Sequence, residues 1–377
     1  MKNNNYIISF FLLLYMLIIS CTNESYQDLT ETKTLLNLKW NKAYNDDTIE
    51  KSAIGLQWAL SYIGAKLPRQ LSGIRVNNDN IFIDIEKLGF SETAKQKLML
   101  LHDMIKASNE YQTTNTIDLG RYVTLLIGAS EHYYALTEVP LQLSSILSKY
   151  SLKEDRGYIN NSSVSLEHRV ISFSGQNGLN QFFLSTETEP TSGAILEYET
   201  IEFLPNGQLR FGVFDHNGNR KNNADPIHSK AGKPAKCIWC HESNIQPLFN
   251  EQDDFNGFLP FLDFKDTLIV FRNSHIELKN ALNDGVDYSQ NQQHTLTELI
   301  YISFMEPSAE RLSLEWGMSI AEIESKLSGL ETHVHEEFSF LGNLYDREDI
   351  KIHAPFKGLQ VSTKVREQSE IEVNHIN

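Results

Sequence analysis

Two cysteines and a histidine lie together in the segment Cys237-Ile238-Trp239-Cys240-His241. Two thiols separated by two residues and followed by an imidazole can bind a metal, exchange a disulfide or attach a ligand covalently. A zinc site would need another ligand pair, and the only other cysteine is Cys21. A redox dithiol is typical of a thioredoxin-like βαβ context, whereas an irregular segment precedes this motif. A disulfide within the motif would close a small, strained loop.

The segment resembles the haem attachment site of c-type cytochromes, Cys-x-x-Cys-His. The resemblance implies that Cys237 and Cys240 form thioether bonds to the haem and that His241 binds the iron as proximal ligand. Two thiols three positions apart on one helical turn can reach vinyl groups on adjacent pyrrole edges, which explains the spacing. We therefore expect one covalently attached haem c, with the zinc, redox and disulfide interpretations as alternatives.

The sixth ligand of the iron is less well defined by the sequence. Haem that only transfers electrons usually has two protein ligands, whereas catalytic haem keeps one axial position open. Met305, just before Pro307, is the first candidate. His275 interrupts an apolar helical stripe and His228 lies in the segment before the motif, so both are weaker candidates. A histidine on an apolar face is more often a hydrogen-bonded core residue.

A local cluster of positive charge lies close to the motif. Its members are Arg220, Lys221, Lys230, Lys233 and Lys236. The cluster could neutralise haem propionates, present a docking surface to an acidic redox partner or form a solvated loop.

The N-terminus has the pattern of a secretory signal. Lys2 is followed by the apolar run Tyr6–Ile19, which is shorter than the roughly 20 residues of a membrane-spanning helix. The segment Ile18-Ile19-Ser20-Cys21 resembles the lipobox of bacterial lipoproteins. The resemblance implies cleavage before Cys21, lipidation of its thiol and a membrane anchor. The rest of the chain would then face the periplasm or the cell surface, with an uncleaved N-terminal anchor as the alternative.

The composition limits the class of protein. The chain has 377 residues, of which 41% are hydrophobic, 10% aromatic and 22% charged. These values predict two or three folded domains and exclude collagen-like or wholly disordered chains. The net charge of −16 would repel a phosphate backbone, so we expect no nucleic-acid partner.

Hydrophobic patterns predict an α+β fold. Helical periodicity dominates the N-terminal region, apart from a short strand at 80–85. Strict alternation around Pro205-Asn206-Gly207 predicts an antiparallel β hairpin region in the middle of the chain. Helical patterns return from residue 262. One predicted helix there has an apolar stripe through Phe264, Leu268, Phe271 and His275, and another begins with a capping box of Ser319 and Glu322. The resemblance implies a mainly helical, cytochrome c-like C-terminal region. The regions are a signal peptide 1–20, a lipidated tether 21–45, a helical N-terminal region 46–155, a β-rich region 156–226, a c-type haem-binding region 227–357 and a polar tail 358–377.

These predictions describe an exported, lipid-anchored, mono-haem protein that transfers electrons to an unidentified redox partner. Two other functions fit the same residues. One is a haem enzyme of peroxidase type with an open axial position, and the other is a ligand- or partner-binding lipoprotein with haem as an accessory. The sequence contains no H-E-x-x-H, G-x-S-x-G or phosphate-binding glycine motif, so it suggests none of these enzyme classes, although their absence does not exclude an enzyme. On the haem motif, an electron carrier is expected more than a catalyst.

Overall fold

The computed structural model describes residues 35–67, 73–160, 162–165, 167–282, 293–364 and 371–376. The predicted signal peptide 1–20 and the predicted lipidation site Cys21 lie outside these residues. The described residues form an α+β structure, which confirms the predicted fold class.

The strands of the described residues form two sheets. A mixed four-stranded sheet has the order β2-β3-β1-β4, and a six-stranded antiparallel sheet has the order β10-β9-β8-β7-β6-β5. The strands are β1 (Leu35–Lys39), β2 (Ile74–Asn77), β3 (Asn80–Asp84), β4 (Ile117–Asp118), β5 (Gly157–Ile159), β6 (His168–Phe173), β7 (Phe182–Thr188), β8 (Ile195–Phe203), β9 (Leu209–Asp215) and β10 (Arg220–Lys221). The second sheet confirms the antiparallel β region predicted for the middle of the chain.

Helices flank both sheets. They are α1 (Ile49–Tyr62), α2 (Glu92–Ala107), α3 (Asn109–Thr114), α4 (Leu119–Val123), α5 (Ser130–Thr137), α6 (Leu143–Leu147), α7 (Pro234–His241), α8 (Phe261–Ala281), α9 (Gln293–Met305), α10 (Ala309–Trp316), α11 (Ile320–Lys326) and α12 (Arg347–Ile350). A π-helical segment, Thr124–Gly128, joins α4 to the turn before α5. The C-terminal region is therefore helical, as predicted.

The N-terminal region differs from the prediction because it contains the mixed sheet as well as helices. Strand β1 pairs antiparallel with β3 and parallel with β4. Leu36 and Leu38 of β1 are completely buried. The folded part thus extends into the segment 21–45 that the sequence analysis assigned to the tether. Strand β1 has five residues and β4 only two, so neither is long enough to give a clear local pattern.

The six-stranded sheet is covered on both of its faces. Successive side chains of a strand point to opposite faces, so Glu197 and Glu202 of β8 lie on different sides of the sheet. Both are buried, with exposed fractions of 0% and 1%. The predicted turn between β8 and β9 is present, and Gly207 adopts there the positive φ of 85° that glycine accommodates best.

Helix α8 covers one part of this sheet with the stripe that the sequence predicts. Phe264, Leu268, Phe271 and His275 are all buried along its length. Helix α11 begins with the predicted capping box, in which Ser319 and Glu322 exchange hydrogen bonds between side chain and backbone.

The described residues of the predicted polar tail pack against the N-terminal region. The carbonyl oxygen of Leu359 accepts a hydrogen bond from Arg121 at 2.7 Å, and that of Ile376 accepts one from Lys97 at 2.9 Å. Glu372 accepts a hydrogen bond from the backbone of Ser130 at the start of α5. The end of the chain therefore contributes to the positions of α2, α4 and α5.

Candidate functional site

The Cys-x-x-Cys-His motif forms the C-terminal part of helix α7. Pro234 is the first residue of this helix, where the absence of a backbone N–H costs nothing. Glu242 ends the helix in the left-handed conformation, with φ of 47°. Residues three and four positions apart share a helix face, so Cys237, Cys240 and His241 lie on the same side of α7.

Two buried lysines fix the ends of this short helix. Lys233 precedes α7, and its Nζ donates hydrogen bonds to the carbonyl oxygens of Gly128 and Lys364 at 2.8 and 2.6 Å. Lys279 of α8 donates to the carbonyl oxygen of Ser243, just after the C-terminus of α7. Lysine side chains near the C-terminus of a helix commonly donate hydrogen bonds to its last carbonyl groups.

A cavity of about 370 Å³ lies beside the motif face of α7. Its volume falls in the range of small-molecule and cofactor sites, roughly 300–1,000 Å³. Cys237, Cys240 and His241 all line it. The other lining residues are mostly apolar and come from β5 to β9, the segments on either side of α7, and α8. The apolar ones are Ile159, Val164, Ile171, Phe183, Ile201, Phe211, Val213, Ala231, Ile245, Leu248, Phe249 and Leu268.

The cavity therefore belongs to two of the predicted regions. The motif and α8 come from the region 227–357, whereas the sheet comes from the region 156–226. A molecule bound in the cavity would therefore contact both the sheet and α7.

His241 has the protonation state that metal coordination requires. Burial lowers the pKa of its imidazole to about 4, although the backbone of Asn244 partly offsets this effect. The ring is therefore neutral at pH 7 and keeps a nitrogen lone pair. Its Nδ1 atom is buried and has no hydrogen-bond partner among the described residues. The ring packs against Phe211, with 5.5 Å between the ring centroids.

The two thiols differ in their surroundings. Cys237 is half-buried and Cys240 is exposed, and no disulfide joins these two described residues. Burial raises the pKa of the Cys237 thiol, and the negative charge of Glu199 raises it further. Among the described residues that line the cavity, the motif supplies every cysteine and histidine. The described cavity wall thus offers no second cysteine or histidine pair of the kind that completes a four-ligand structural zinc site.

The structure does not bring the three candidate sixth ligands to the cavity wall. Met305 is 5% exposed and packs in the hydrophobic core at the end of α9. His275 is buried, its Nε2 lies 2.7 Å from the carbonyl oxygen of Gly207, and its ring stacks on Phe203. His228 lies 3.5 Å from the carboxylate of Glu167. None of the three lines the cavity, so the assignment of Met305 stays a prediction from sequence.

Most of the basic cluster is engaged in contacts within the fold. Lys233 is completely buried, Lys221 forms an ion pair with Glu197 at 2.7 Å, and Arg220 lies over the ring of Tyr134. Lys236 lines the cavity. Of the five described residues of the cluster, only Lys230 is exposed.

The sheet adds charged residues to the site that the sequence analysis did not identify. Arg169 of β6 and Glu199 of β8 line the cavity, and the guanidinium donates to the Glu199 carboxylate at 3.0 Å. Arg169 also donates to Glu187 of β7 at 2.8 Å. The only signal in the sequence is the alternation of charged residues along β6 to β8, which is equally typical of an exposed strand face.

Comparisons of the chain with family models, curated proteins and solved structures find no match. In the part of the chain that the structure describes, no helix has the length and apolar character needed to cross a membrane. The evidence for function therefore lies in the chemistry of the cavity and of the motif that lines it.

Proposed function

We propose that this chain is an exported, lipid-anchored protein that binds one c-type haem in the cavity beside α7 and transfers single electrons. The observation that carries this proposal is that Cys237, Cys240 and His241 line the same, mainly apolar cavity. An apolar wall with a few convergent polar groups is typical of cofactor sites. The motif adds two thiols and one neutral imidazole on one face of a helix.

Each residue of the motif has a distinct role in this proposal. Cys237 and Cys240 would hold the haem through thioether bonds, and His241 would bind the iron. Lys236, which lines the cavity, would place a positive charge near an acidic propionate group. When bound, haem supplies a one-electron change between ferric and ferrous iron. The apolar side chains of the sheet would exclude water and so contribute to the reduction potential.

The cytochrome c-like character proposed for residues 227–357 depends on the motif. The cavity extends the binding region to strands β5 to β9. The lipid anchor at Cys21 and the location in the cell envelope depend on the N-terminal sequence pattern alone. We propose that this anchor holds the protein at a membrane of the cell envelope, where the haem would exchange electrons with its redox partner.

A second function is favoured by one specific observation. The described residues that line the cavity include one histidine and no methionine. With a single protein ligand the iron would keep an open axial position, which suits the binding or activation of a small molecule such as a peroxide. A low-spin absorption spectrum of the purified protein would support the electron carrier, and a high-spin spectrum would support the haem enzyme or sensor.

The haem is tested by expressing the full chain with a cytochrome c maturation system and recording a reduced pyridine haemochrome spectrum. We expect a c-type α-band that survives acid–acetone extraction. Cys237→Ala and Cys240→Ala should each shift or remove it. His275→Gln is the matched control, because this buried histidine lies outside the cavity wall and its replacement should leave the band in place. Haem-free protein from a strain that matures other cytochromes would refute the proposal.

The anchor is tested separately by comparing the full chain with Cys21→Ser. We expect the original protein to incorporate labelled fatty acid and to fractionate with membranes. The variant should incorporate no label. Equal labelling of both proteins would show that Cys21 is not the lipidation site.

A further inference from the structure

Three glutamates meet in the sheet beside the cavity. Glu187 of β7 and Glu197 of β8 are directly opposite each other in the antiparallel register. Glu199 is two residues further along β8 and therefore lies on the same face. One carboxylate oxygen from each of the three lies within 4.8 Å of the others. Glu187 and Glu197 are completely buried.

In each of the two buried carboxylates, one oxygen accepts hydrogen bonds and the other has no hydrogen-bond partner among the described residues. Oε1 of Glu187 accepts hydrogen bonds from Arg169 at 2.8 Å and from Ser165 at 2.7 Å. Oε2 of Glu197 accepts from Lys221 at 2.7 Å and from the backbone N–H of Asp225 at 2.9 Å. Oε2 of Glu187 and Oε1 of Glu197 are buried without a hydrogen-bond partner among the described residues.

The charges of this cluster do not balance when all three glutamates are ionised. Arg169 and Lys221 are its cations, and together they leave one negative charge uncompensated. Like charges directly opposite in a sheet are destabilising, and a buried unpaired charge is costly. The other titratable side chains near the cluster are Glu167, Asp215, Asp225, His228, Lys236, Cys237 and Cys240.

A single proton resolves both problems. It neutralises the excess charge, and it turns one of the two unsatisfied oxygens into a hydrogen-bond donor among carboxylates that approach within 4.8 Å of one another. Two like carboxylates that share a site do not both ionise readily. Two cations already bind the cluster, so a proton rather than a metal ion completes its charge balance.

We propose that Glu187 and Glu197 share one buried proton, and that this proton is bound and released together with the electron that enters and leaves the cavity. The coupling of this proton to the electron rests on the proposed function. When bound, haem would supply a one-electron change. The carboxylate pair would take up one proton from solvent when an electron enters the cavity, and it would release that proton to solvent when the electron leaves.

The link between the pair and the cavity is electrostatic. Arg169 forms an ion pair with Glu187, and Glu199 has a carboxylate oxygen within 4.8 Å of the pair. Both Arg169 and Glu199 line the cavity. The charge of Glu199 already acts on the Cys237 thiol, whose pKa it raises. Burial is the main cause that raises the pKa of Glu197 to about 7, and it raises the pKa of Glu187 as well. The proton would therefore exchange near neutral pH.

The shared proton is tested by infrared spectroscopy of the full chain across a pH titration. We expect the carbonyl band of a protonated carboxyl at pH 6, shifted in heavy water and lost in Glu197→Gln. Glu202→Gln is the matched control, because Glu202 is equally buried on the opposite face of β8 and pairs with Arg210 at 2.7 Å. Glu187→Gln replaces Glu197→Gln if that variant does not fold. Absence of the band from the original protein at pH 6 would overturn the proposal.

The coupling is tested by measuring the reduction potential as a function of pH. One proton per electron changes the equilibrium tenfold per pH unit, or about 59 mV for a single electron. We expect this slope near pH 7, a flat profile in Glu197→Gln and the original slope in Glu202→Gln. A potential independent of pH would overturn the coupling. A haem-free protein would instead refute the proposed function, and the infrared titration would still decide whether the proton is shared.

Discussion

The ammonium group of Lys279 lies 2.5 Å from the backbone carbonyl oxygen of Ser243 and 3.1 Å from Oδ1 of Asn244. Lys279 belongs to α8 and is 4% exposed, whereas Ser243 follows the motif helix α7. The contact therefore joins the two helices that flank the cavity. Burial lowers the pKa of Lys279 to about 7, well below the ordinary value for lysine.

We predict that Lys279 makes the stability of the fold increase with pH. Between about pH 7 and pH 10 the unfolded chain binds a proton at this lysine that the folded chain does not, so the free energy of unfolding rises with pH. The slope would be at most about 1.4 kcal/mol per pH unit. Lys279→Met should remove this rise, as measured by urea denaturation at pH 7 and pH 9. The exposed Lys265 of the same helix is the control, and Lys265→Met should keep the slope.

Arg169 is predicted to be essential for the stability of the sheet. Its guanidinium donates to Glu187, Glu199 and Ser229, so its removal leaves buried carboxylates without a cation. Arg169→Met should lower the free energy of unfolding by about 3–5 kcal/mol at pH 8. The loss should be smaller at pH 5, where the carboxylates bind protons more readily. Arg75→Met, at an exposed position, should have little effect, and a similar loss in both variants would contradict the prediction.

Close packing at Gly157 provides a test of the contact between β5 and α8. A Cβ atom at Gly157 would lie 2.3 Å from the ring of Phe264. Overpacking of this kind costs typically 1–3 kcal/mol, so Gly157→Ala should lower the thermal midpoint clearly. Gly175 has nothing within 4 Å of an added Cβ, and Gly175→Ala should be neutral. Equal midpoints for the two variants would show that β5 and α8 are not packed in this way.

We predict that the ionised carboxylate of Glu315 stabilises the C-terminal helices, and that this stabilisation is lost in acid. Its carboxylate is 2% exposed and binds the guanidinium groups of Arg311 and Arg347. Burial raises the pKa of Glu315, but Arg347 and Arg311 outweigh burial and lower the value to about 2. The group therefore stabilises the fold above pH 4.5, by about 3 kcal/mol, and this contribution disappears as the pH falls towards 2.

The corresponding experiment compares Glu315→Gln with the original protein by chemical denaturation from pH 7 to pH 3. The stability difference should be largest at pH 7 and shrink with acid. Glu310→Gln, at an exposed position of the same helix, should change stability by only a few tenths of a kcal/mol. A difference that does not depend on pH would show that the ion pairs are not its cause.

The sequence predicts correctly those turns, helical stripes and helix caps that are formed by residues close together in the chain. The turn at Gly207, the buried stripe of α8 and the capping box of Ser319 and Glu322 are all present. Each of these depends on residues within one or two turns of chain. The motif at Cys237 likewise required no tertiary information to be recognised as a candidate site.

Features that depend on distant pairing could not be read from the sequence. Glu187 and Glu197 face each other only because of the register between β7 and β8. The sequence places Lys233 in a cluster of positive charge, but in the fold its ammonium group donates hydrogen bonds to the carbonyl oxygens of Gly128 and Lys364. Strand β1 depends on β3 and β4 for its pairing. In each case the partner is far away in the chain, and hydrophobic periodicity carries no information about it.

The contact between Lys233 and Lys364 also has a consequence for the order of folding. The two residues are 131 positions apart, and contacts of such separation form late because a long loop must close first. The residue in front of α7 therefore completes its native contacts only after this loop has closed. Until then, the thiols of Cys237 and Cys240 lie next to a segment that is not yet fixed, and a modifying group can reach them. Covalent attachment at these positions would be an event of maturation that precedes the closing of the loop.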